Sequence, residues 1–248
     1  MVKMNVNLGE KGYPIYIAPD FSGLGKACAG VRISKKVVII TDSNVEKIYC
    51  ENCVNAISGQ VSEVAKIVIP AGEKSKDIDT VRYIYHQLIE MKADRNTALA
   101  ALGGGVVGDI TGFAAATFMR GVPFIQLPTS LLAQADSSIG GKTGVDFEGN
   151  KNMIGAFYQP KFVYINVNTL KTLPVRELRS GLAEVIKHGL ICDREFFDYL
   201  ANNLNKIFSF DENTLQYITK MNCTIKGTVV EQDEKEDGLR AILNFGHT

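Results

Sequence analysis

Short apolar runs, most of them rich in β-branched residues, recur at intervals along the first two thirds of the chain. They read KKVVIITD (35–42), AKIVIP (65–70), TALAALG (97–103), PFIQLP (123–128) and FVYINV (162–167). Their length and composition predict buried strands. The stretches between them, 45–57, 77–91 and 106–119, carry apolar residues at helical spacing. This alternation predicts an α/β fold, in which helices cover both faces of a Rossmann-like parallel sheet.

The pattern changes after the segment TLPVREL. From residue 175 to about residue 230, the apolar spacing is helical and strand-like runs are absent. We therefore expect an α/β domain over residues 1–174 and the start of an all-helical domain over residues 175–248. Parallel sheets bind ligands beyond the carboxyl ends of their strands, so functional residues are expected there.

The charge balance excludes some classes of partner. Lys+Arg and Asp+Glu both number 27, so no net charge attracts the chain to nucleic acid or to a membrane surface. No apolar run has the length of a signal peptide core or of a membrane span. We expect a cytoplasmic protein without nucleic-acid or membrane partners.

A glycine-rich segment, ALAALGGGVVGDITGFAAATF, joins a predicted buried strand to an apolar helix. Gly103, Gly105 and Gly108 match the pattern G-x-G-x-x-G, which lets backbone N–H groups at a helix N-terminus bind a pyrophosphate. The alternative is that these glycines serve helix–sheet packing alone. The usual pattern also ends the next strand with an acidic residue that binds a ribose. Here only an earlier strand ends in an acid, Asp42, which predicts a dinucleotide site of unusual arrangement.

A second segment, AQADSSIGGKTGVDFEGNKNMIGAF, places Asp136, Lys142, Lys151 and Asn152 among glycines and small polar residues. Ammonium and backbone N–H groups together neutralise a phosphate dianion, so the segment suits a phosphorylated ligand. The alternative is a long solvated surface loop, although it is long for a mere connection.

A third group lies on the predicted helical region. In LRSGLAEVIKHGLI, Glu184, Lys187 and His188 share one face of a helix. The carboxylate and the imidazole could chelate a divalent metal, and the alternative is a solvated face with an ordinary ion pair. Further cations and polar groups follow in KGTVVEQDEKEDGLRAILNFGHT, namely Lys226, Arg240, Asn244 and His247. These residues indicate a nucleotide-dependent, metal-assisted enzyme that acts on a small phosphorylated anion.

Six motifs, in this order, resemble the 3-dehydroquinate synthase family. They are PAGEKSK, GGGVVGD, FMRGVPFIQLPTSLLAQADSSIGGKTGVD, KNMIGAF, LPVRELRSGLAEVIKHG and RAILNFGHT. The resemblance implies a lyase of the shikimate pathway, in aromatic amino acid biosynthesis. That enzyme converts 3-deoxy-D-arabino-heptulosonate 7-phosphate to 3-dehydroquinate and phosphate by NAD-dependent oxidation, phosphate elimination, re-reduction and aldol closure. It also implies NAD, Zn²⁺ or Co²⁺, and an active site in the cleft between the two domains.

The resemblance further implies roles for individual residues. Those expected to bind NAD are Asp42, Asn44, Lys47, Glu73, Lys76, Gly104, Gly105, Val106, Asp109, Thr129, Ser130, Lys151, Thr172, Leu173 and Glu177. Those expected to hold the substrate are Asp136, Lys142, Asn152, Lys187, Lys226, Arg240 and Asn244. Arg120 is expected to reach the phosphate of a neighbouring subunit, which implies a homodimer. The metal is expected on Glu184, His247 and a further histidine, which leaves His188 without a metal role.

Members of the family continue after NFGHT into a proton-transfer histidine and then a third metal ligand. We therefore expect a fragment that is inactive by itself. One alternative is another sugar phosphate cyclase with a neutral substrate, which is disfavoured because Lys226, Arg240 and Asn244 match the carboxylate-binding set. A second alternative is a non-catalytic NAD-binding remnant. A glycerol-dehydrogenase-like enzyme is less favoured, because DSSIGGKTGVD matches the synthase loop.

Overall fold

The computed structural model describes residues 1–33 and 35–246, which contain nine strands. In chain order these are β1 (Val2–Val6), β2 (Tyr13–Ala18), β3 (Lys36–Asp42), β4 (Glu63–Ile69), β5 (Ala98–Gly103), β6 (Phe124–Pro128), β7 (Lys142–Phe147), β8 (Asn150–Phe157) and β9 (Phe162–Asn166). Seven of them form one sheet in the order β1-β2-β9-β6-β5-β3-β4. Strand β1 runs antiparallel to β2, and the other neighbours in this sheet are parallel.

Seven α-helices lie within the described ranges. They are α1 (Leu24–Gly30), α2 (Glu51–Ile57), α3 (Ile78–Glu90), α4 (Gly105–Thr117), α5 (Val175–Cys192), α6 (Arg194–Phe208) and α7 (Glu212–Gln232). Two π-helical turns, Glu46–Cys50 and Ala133–Ser137, and a 3₁₀ turn, Leu239–Asn244, also bear on the site.

The α/β fold predicted from the alternating pattern is confirmed. Strands β3, β4, β5, β6 and β9 occupy the five predicted apolar runs, and α3 and α4 occupy two of the predicted helical stretches. All residues of β5, β6 and β9 are buried, because helices cover both faces of a parallel sheet and leave no face for solvent. The continuous apolar character of these runs follows from that double coverage.

The glycine-rich segment over residues 133–157, for which the alternative was a long surface loop, contains a hairpin of β7 and β8. Gly144 and Gly155 lie directly opposite each other in this hairpin. A Cβ atom at Gly155 would lie 2.2 Å from the carbonyl oxygen of Thr143, and one at Gly144 would lie 2.7 Å from that of Ile154. These glycines therefore permit close approach of two strands, and they do not make the segment flexible. The alternative of a surface loop is therefore wrong, although most of β8 is exposed.

The helical stretch that begins at residue 175 packs against the sheet. Phe196 of α6 and Ile218 of α7 belong to the same apolar core as Ile15 of β2 and Ile165 of β9. Burial of each such side chain contributes about 1.5–3 kcal/mol, so this core holds α6 and α7 in place beside the sheet. Within the described part of the chain, no helix is long and apolar enough to cross a membrane.

Candidate active site

The carboxyl ends of three neighbouring parallel strands meet at one edge of the sheet. Asp42 is the last residue of β3, and β3 lies directly beside β5, which ends at Gly103. Gly103 in turn lies opposite Pro128, the last residue of β6. The strand order explains the position of the acid in the sequence, because β3 precedes β5 in the chain with only β4 between them, yet adjoins β5 in space.

The glycines at this edge serve two different purposes. A Cβ at Gly103 would lie 2.6 Å from Val107 Cγ2, and one at Gly108 would lie 2.9 Å from Gln126 Oε1. These two positions therefore need glycine for packing. A Cβ at Gly104 would instead meet nothing closer than Ser130 Oγ at 3.5 Å. Gly104 directly precedes α4 and borders open space, so the backbone there is accessible to a ligand.

A cavity of about 400 Å³, here called the strand-end cavity, opens at this edge. Nine of the residues expected to bind NAD line it: Asp42, Glu73, Lys76, Gly104, Gly105, Val106, Asp109, Ser130 and Glu177. Of the other six expected residues, Lys151 lies beside the cavity, with its Nζ atom 3.6 Å from Glu73 Oε1. The remaining five lie outside the lining: Asn44, Lys47, Thr129, Thr172 and Leu173.

A second cavity of about 590 Å³, here called the hairpin cavity, lies between the β7–β8 hairpin, α7 and the two turns at 133–137 and 239–244. Five of the residues expected to hold the substrate line it: Asp136, Lys142, Asn152, Lys226 and Arg240. Asp109, Asp136 and Ser137 line both cavities. The two cavities therefore adjoin.

The hairpin cavity concentrates positive charge. The ammonium of Lys226, which is buried, lies 2.5 Å from Asp136 Oδ1, and Arg240 is buried with its guanidinium donating to the carbonyl oxygens of Gly140 and Glu234. Burial lowers the pKa of Lys142, and the charges of Arg240 and Lys226 lower it further. Three cationic side chains line the cavity with the two carboxylates of Asp109 and Asp136, so the excess of positive charge suits a ligand with negative oxygens.

Asp136 remains charged beside these cations. Burial by itself raises the pKa of its carboxyl, but the charge and hydrogen bond of Lys226 outweigh that effect and hold the pKa below its ordinary value. The ammonium of Lys226 also donates to the backbone carbonyl of Asp136, at 2.5 Å. Asp136 lies in the π-helical turn 133–137, a geometry that is frequent at functional sites.

Lys76 connects the two cavities. Its buried ammonium lies 2.6 Å from Asp109 Oδ2 and donates to Asn152 Oδ1 at 2.5 Å. The backbone N–H of Asp146, on β7, donates to the carbonyl of Lys76 at 2.8 Å. Burial raises the pKa of Asp109 to about 6, although Lys76 opposes the shift. The resemblance implied that Lys76 binds NAD, and nothing in the sequence indicated that Lys76 contacts the hairpin.

The polar face of α5 is buried, so the alternative of a solvated face is wrong. His188 is fully buried, Lys187 is 9% exposed and Glu184 is 11% exposed at their side chains. Lys187 pairs with Glu184 and donates to the carbonyl of Leu243. Burial raises the pKa of Glu184, but hydrogen bonds from His188 and Lys187 hold it below its ordinary value.

Donor atoms suited to a divalent cation gather at this face. One donor atom each from Asp136, Glu184 and His188 lies within 4.8 Å of the others. Carboxylate oxygens and imidazole nitrogens are donors that Zn²⁺ accepts, so the donor chemistry fits such an ion. His247, the other metal ligand expected within this chain, lies outside the described residues.

Three expected substrate residues do not line the hairpin cavity: Lys187, which is buried on α5, Arg120 and Asn244. Arg120 is exposed on the turn after α4 and lines neither cavity. Asn244 is also exposed, and it donates to Glu236 Oε1 at 2.8 Å. Sequence reasoning missed Glu236, which also pairs with Lys142. Its only sequence signal was its place in the acidic run EQDEKED, which looked like a solvated loop.

Two family models and a named relative match this chain. Residues 66–180 match the family described as 3-dehydroquinate synthase N-terminal, and residues 181–248 match 3-dehydroquinate synthase C-terminal. The chain is 64% identical over 248 residues to the 3-dehydroquinate synthase of Acetivibrio thermocellus, covering all of this chain and 69% of that relative.

Solved structures share the fold. A 2-deoxy-scyllo-inosose synthase complexed with carbaglucose-6-phosphate, NAD⁺ and Co²⁺ matches with a TM-score of 0.92 at 24% identity, over 99% of this chain and 68% of that one. A 2-epi-5-epi-valiolone synthase from Streptomyces hygroscopicus with NAD⁺ and Zn²⁺ bound matches with a TM-score of 0.86 at 29% identity, over 95% of this chain and 66% of that one. With matches to both parts of one family and a close relative of the same name, the chain belongs to the 3-dehydroquinate synthase family.

Proposed function

We propose that the strand-end cavity binds NAD and that the adjoining hairpin cavity binds 3-deoxy-D-arabino-heptulosonate 7-phosphate, for conversion to 3-dehydroquinate and phosphate. The observation that carries the proposal is that Asp109, Asp136 and Ser137 line both cavities. Hydride transfer requires the cofactor and the reacting carbon to be in contact, and adjoining cavities supply that arrangement. The activity is the one for which the relative from Acetivibrio thermocellus is named.

The substrate of this proposal carries a carboxylate, a phosphate and several hydroxyls. Lys142, Lys226 and Arg240 supply the positive charge for the two anionic groups, and Asn152 supplies an amide. Lys187 stands next to Glu184 on α5, and Asn244 lies on the turn 239–244. The carboxylate of Asp136 accepts hydrogen bonds from substrate hydroxyls. These groups orient the substrate and neutralise its charge, which are the main tasks of the protein in this reaction.

The cofactor proposal assigns the pyrophosphate to the backbone at the start of α4 and a ribose to Asp42. When bound, NAD supplies a reversible hydride acceptor and a divalent metal supplies Lewis acidity toward a substrate oxygen. Glu184 and His247 would hold the metal with a further histidine, and both Zn²⁺ and Co²⁺ are compatible with such donors. Asn44, Lys47, Thr129, Lys151, Thr172 and Leu173 remain proposed cofactor residues outside the cavity lining.

Three further assignments belong to the proposal. Residues 1–174 form the NAD-binding domain, and residues 175–248 begin the metal- and substrate-binding helical domain. We also propose a cytoplasmic homodimer, in which Arg120 reaches the substrate phosphate of the neighbouring subunit. The exposure of Arg120 outside the hairpin cavity supports that role, because it leaves the side chain available to a second subunit.

The cofactor proposal predicts that Gly104→Ala weakens NAD binding by about 10–100-fold, the effect of losing a hydrogen bond to a charged group. The added methyl would meet only ordinary contacts within the protein but would occupy the surface where the pyrophosphate approaches. Calorimetric titration of NAD measures the affinity, and thermal unfolding checks the fold. Gly59→Ala is the matched control, since a Cβ there meets nothing within 4 Å. Equal NAD affinity in a folded Gly104→Ala chain would contradict the assignment.

The substrate proposal predicts a preference for a carboxylated sugar phosphate. With NAD present, the chain should bind 3-deoxy-D-arabino-heptulosonate 7-phosphate more tightly than glucose 6-phosphate, by about tenfold or more, because a charged hydrogen bond contributes about 1.5–3 kcal/mol. Arg240→Leu should reduce this preference, since it removes a cation proposed to bind the carboxylate, which glucose 6-phosphate lacks. Equal affinity for both ligands would favour the alternative of a cyclase with a neutral substrate.

A further inference from the structure

The inference concerns Tyr13, the first residue of β2, to which the proposed function assigns no role. Tyr13 is buried, and its hydroxyl oxygen accepts a hydrogen bond from the backbone N–H of Gly140 at 3.1 Å. Burial raises the pKa of Tyr13, so the hydroxyl is neutral and this bond does not depend on a titration. The two residues are 127 positions apart, so the contact joins the sheet to the segment that precedes β7.

Gly140 in turn supports the guanidinium of Arg240. The carbonyl oxygen of Gly140 accepts from Nη1 at 3.3 Å and from Nη2 at 3.4 Å. A Cβ atom at Gly140 would collide with Nη2, so the guanidinium packs directly against the α-carbon of this residue. Gly140 also has a φ of +94°, which side chains of L-residues rarely adopt. The backbone at Gly140 is therefore the surface on which the guanidinium lies.

Arg240 is oriented by neutral groups. It is 2% exposed, and the hydrogen-bond partners of its guanidinium within the described residues are the carbonyl oxygens of Gly140 and Glu234, the latter at 2.6 Å. Carbonyl oxygens fix the direction of a guanidinium but leave its charge without a counter-ion. A buried charge is costly unless it is paired, so this cation suits an anionic group in the hairpin cavity, which Arg240 lines.

We propose that Tyr13 is a positioning residue for substrate specificity, which holds Gly140 so that the guanidinium of Arg240 meets the carboxylate of the substrate. The inference rests on the proposed function, since it takes Arg240 as a carboxylate-binding residue. Tyr13 does not touch the substrate in this arrangement and acts through the backbone of Gly140. Its effect should therefore be confined to ligands that carry a carboxylate.

The test is a calorimetric titration of the 248-residue chain with 3-deoxy-D-arabino-heptulosonate 7-phosphate and with glucose 6-phosphate, in the presence of NAD. We expect Tyr13→Phe to reduce the ratio of the two affinities by about 3–10-fold, the effect of losing one neutral hydrogen bond. The affinity for glucose 6-phosphate should stay close to that of the wild type. In an Arg240→Leu chain, Tyr13→Phe should reduce the ratio no further, because the group that it positions is gone.

Tyr164→Phe is the matched control. The hydroxyl of Tyr164 is also buried and also accepts from a glycine N–H, that of Gly23, at 3.1 Å. Tyr164 lines neither cavity. Its replacement removes the same kind of hydrogen bond from the fold, so the control should lose stability but keep the wild-type ratio of affinities. Thermal unfolding of both variants compares their losses of stability.

The outcomes separate the inference from the proposal beneath it. A folded Tyr13→Phe chain with the wild-type ratio would overturn the inference alone, and so would equal reductions in Tyr13→Phe and Tyr164→Phe. A wild-type chain with equal affinity for both sugars would refute the substrate assignment and the inference together. If Tyr13→Phe does not fold, Arg240→Lys decides, because it keeps the charge but loses the two contacts with Gly140. A wild-type ratio in that variant would show that charge without positioning is sufficient.

Discussion

Replacing Lys226 by methionine should lower the free energy of unfolding by about 3 kcal/mol, the lower end of the range for breaking a buried ion pair. The ammonium of Lys226 is 2.5 Å from Asp136 Oδ1, and its side chain is 6% exposed. The methionine would leave the carboxylate of Asp136 without its cation at the wall of both cavities. The lower end applies because the Asp136 side chain is 30% exposed and keeps some contact with water.

Urea unfolding at neutral pH measures this change. Lys220→Met is the matched control on the same helix, α7, because Lys220 is exposed; we expect a change within about 0.5 kcal/mol. Adding Asp136→Asn to Lys226→Met should restore part of the loss, since the unpaired charge is then removed. If Lys226→Met has the same free energy of unfolding as the control, the ion pair of Lys226 with Asp136 does not stabilise the fold. The electrostatic description of the hairpin cavity would then be wrong.

The second large effect is a dependence of stability on pH that originates at Asp109. Burial raises its pKa to about 6 from an ordinary value of 3.8. Between these values the folded chain binds more protons than the unfolded chain, so this group makes the free energy of unfolding decrease as pH rises. A shift of about two units corresponds to about 3 kcal/mol, present in full below pH 4 and lost as pH rises through about 6.

Comparison of the wild type with Asp109→Asn isolates this contribution, because other groups titrate equally in both chains. Denaturant unfolding at several pH values between about 4 and 7.5 should show that the wild type loses up to about 3 kcal/mol more than the variant. Asp79→Asn, on the exposed side of α3, is the control and should follow the wild type. Parallel curves for the wild type and Asp109→Asn would show that Asp109 titrates normally in the folded chain.

Much of the sheet could be predicted from the sequence, because strands buried on both faces are continuous apolar runs. The β7–β8 hairpin could not, since Gly144 and Gly155 interrupt the alternation that identifies a strand. The order of the strands in the sheet could not be predicted from the sequence either. Nothing in the spacing of Asp42 and Gly104 indicates that β3 and β5 are neighbours, yet that adjacency places the acid at the strand-end cavity.

The candidate site could likewise be predicted only in part. The resemblance to a family predicted a set of cofactor-binding residues, and nine of them line one cavity. The burial of the polar face of α5 could not be predicted from the sequence, because a face of Glu, Lys and His has the composition of a solvated helix surface. Its burial depends on α7, and the hydrogen bond from His188 to Asn222 joins residues 34 positions apart. Contacts of that separation follow from packing and leave no local pattern.

The position of Lys76 has a thermodynamic consequence. One ammonium group holds both Asp109, at the wall shared by the cavities, and Asn152, on the hairpin. A ligand that alters the ion pair of Lys76 with Asp109, or its hydrogen bond to Asn152, changes the free energy of ligand binding at the other cavity. Linkage makes such an effect reciprocal. Under the proposed assignment of NAD and the substrate to the two cavities, a ligand that disturbs Lys76 would make the affinity for one depend on the occupancy of the other.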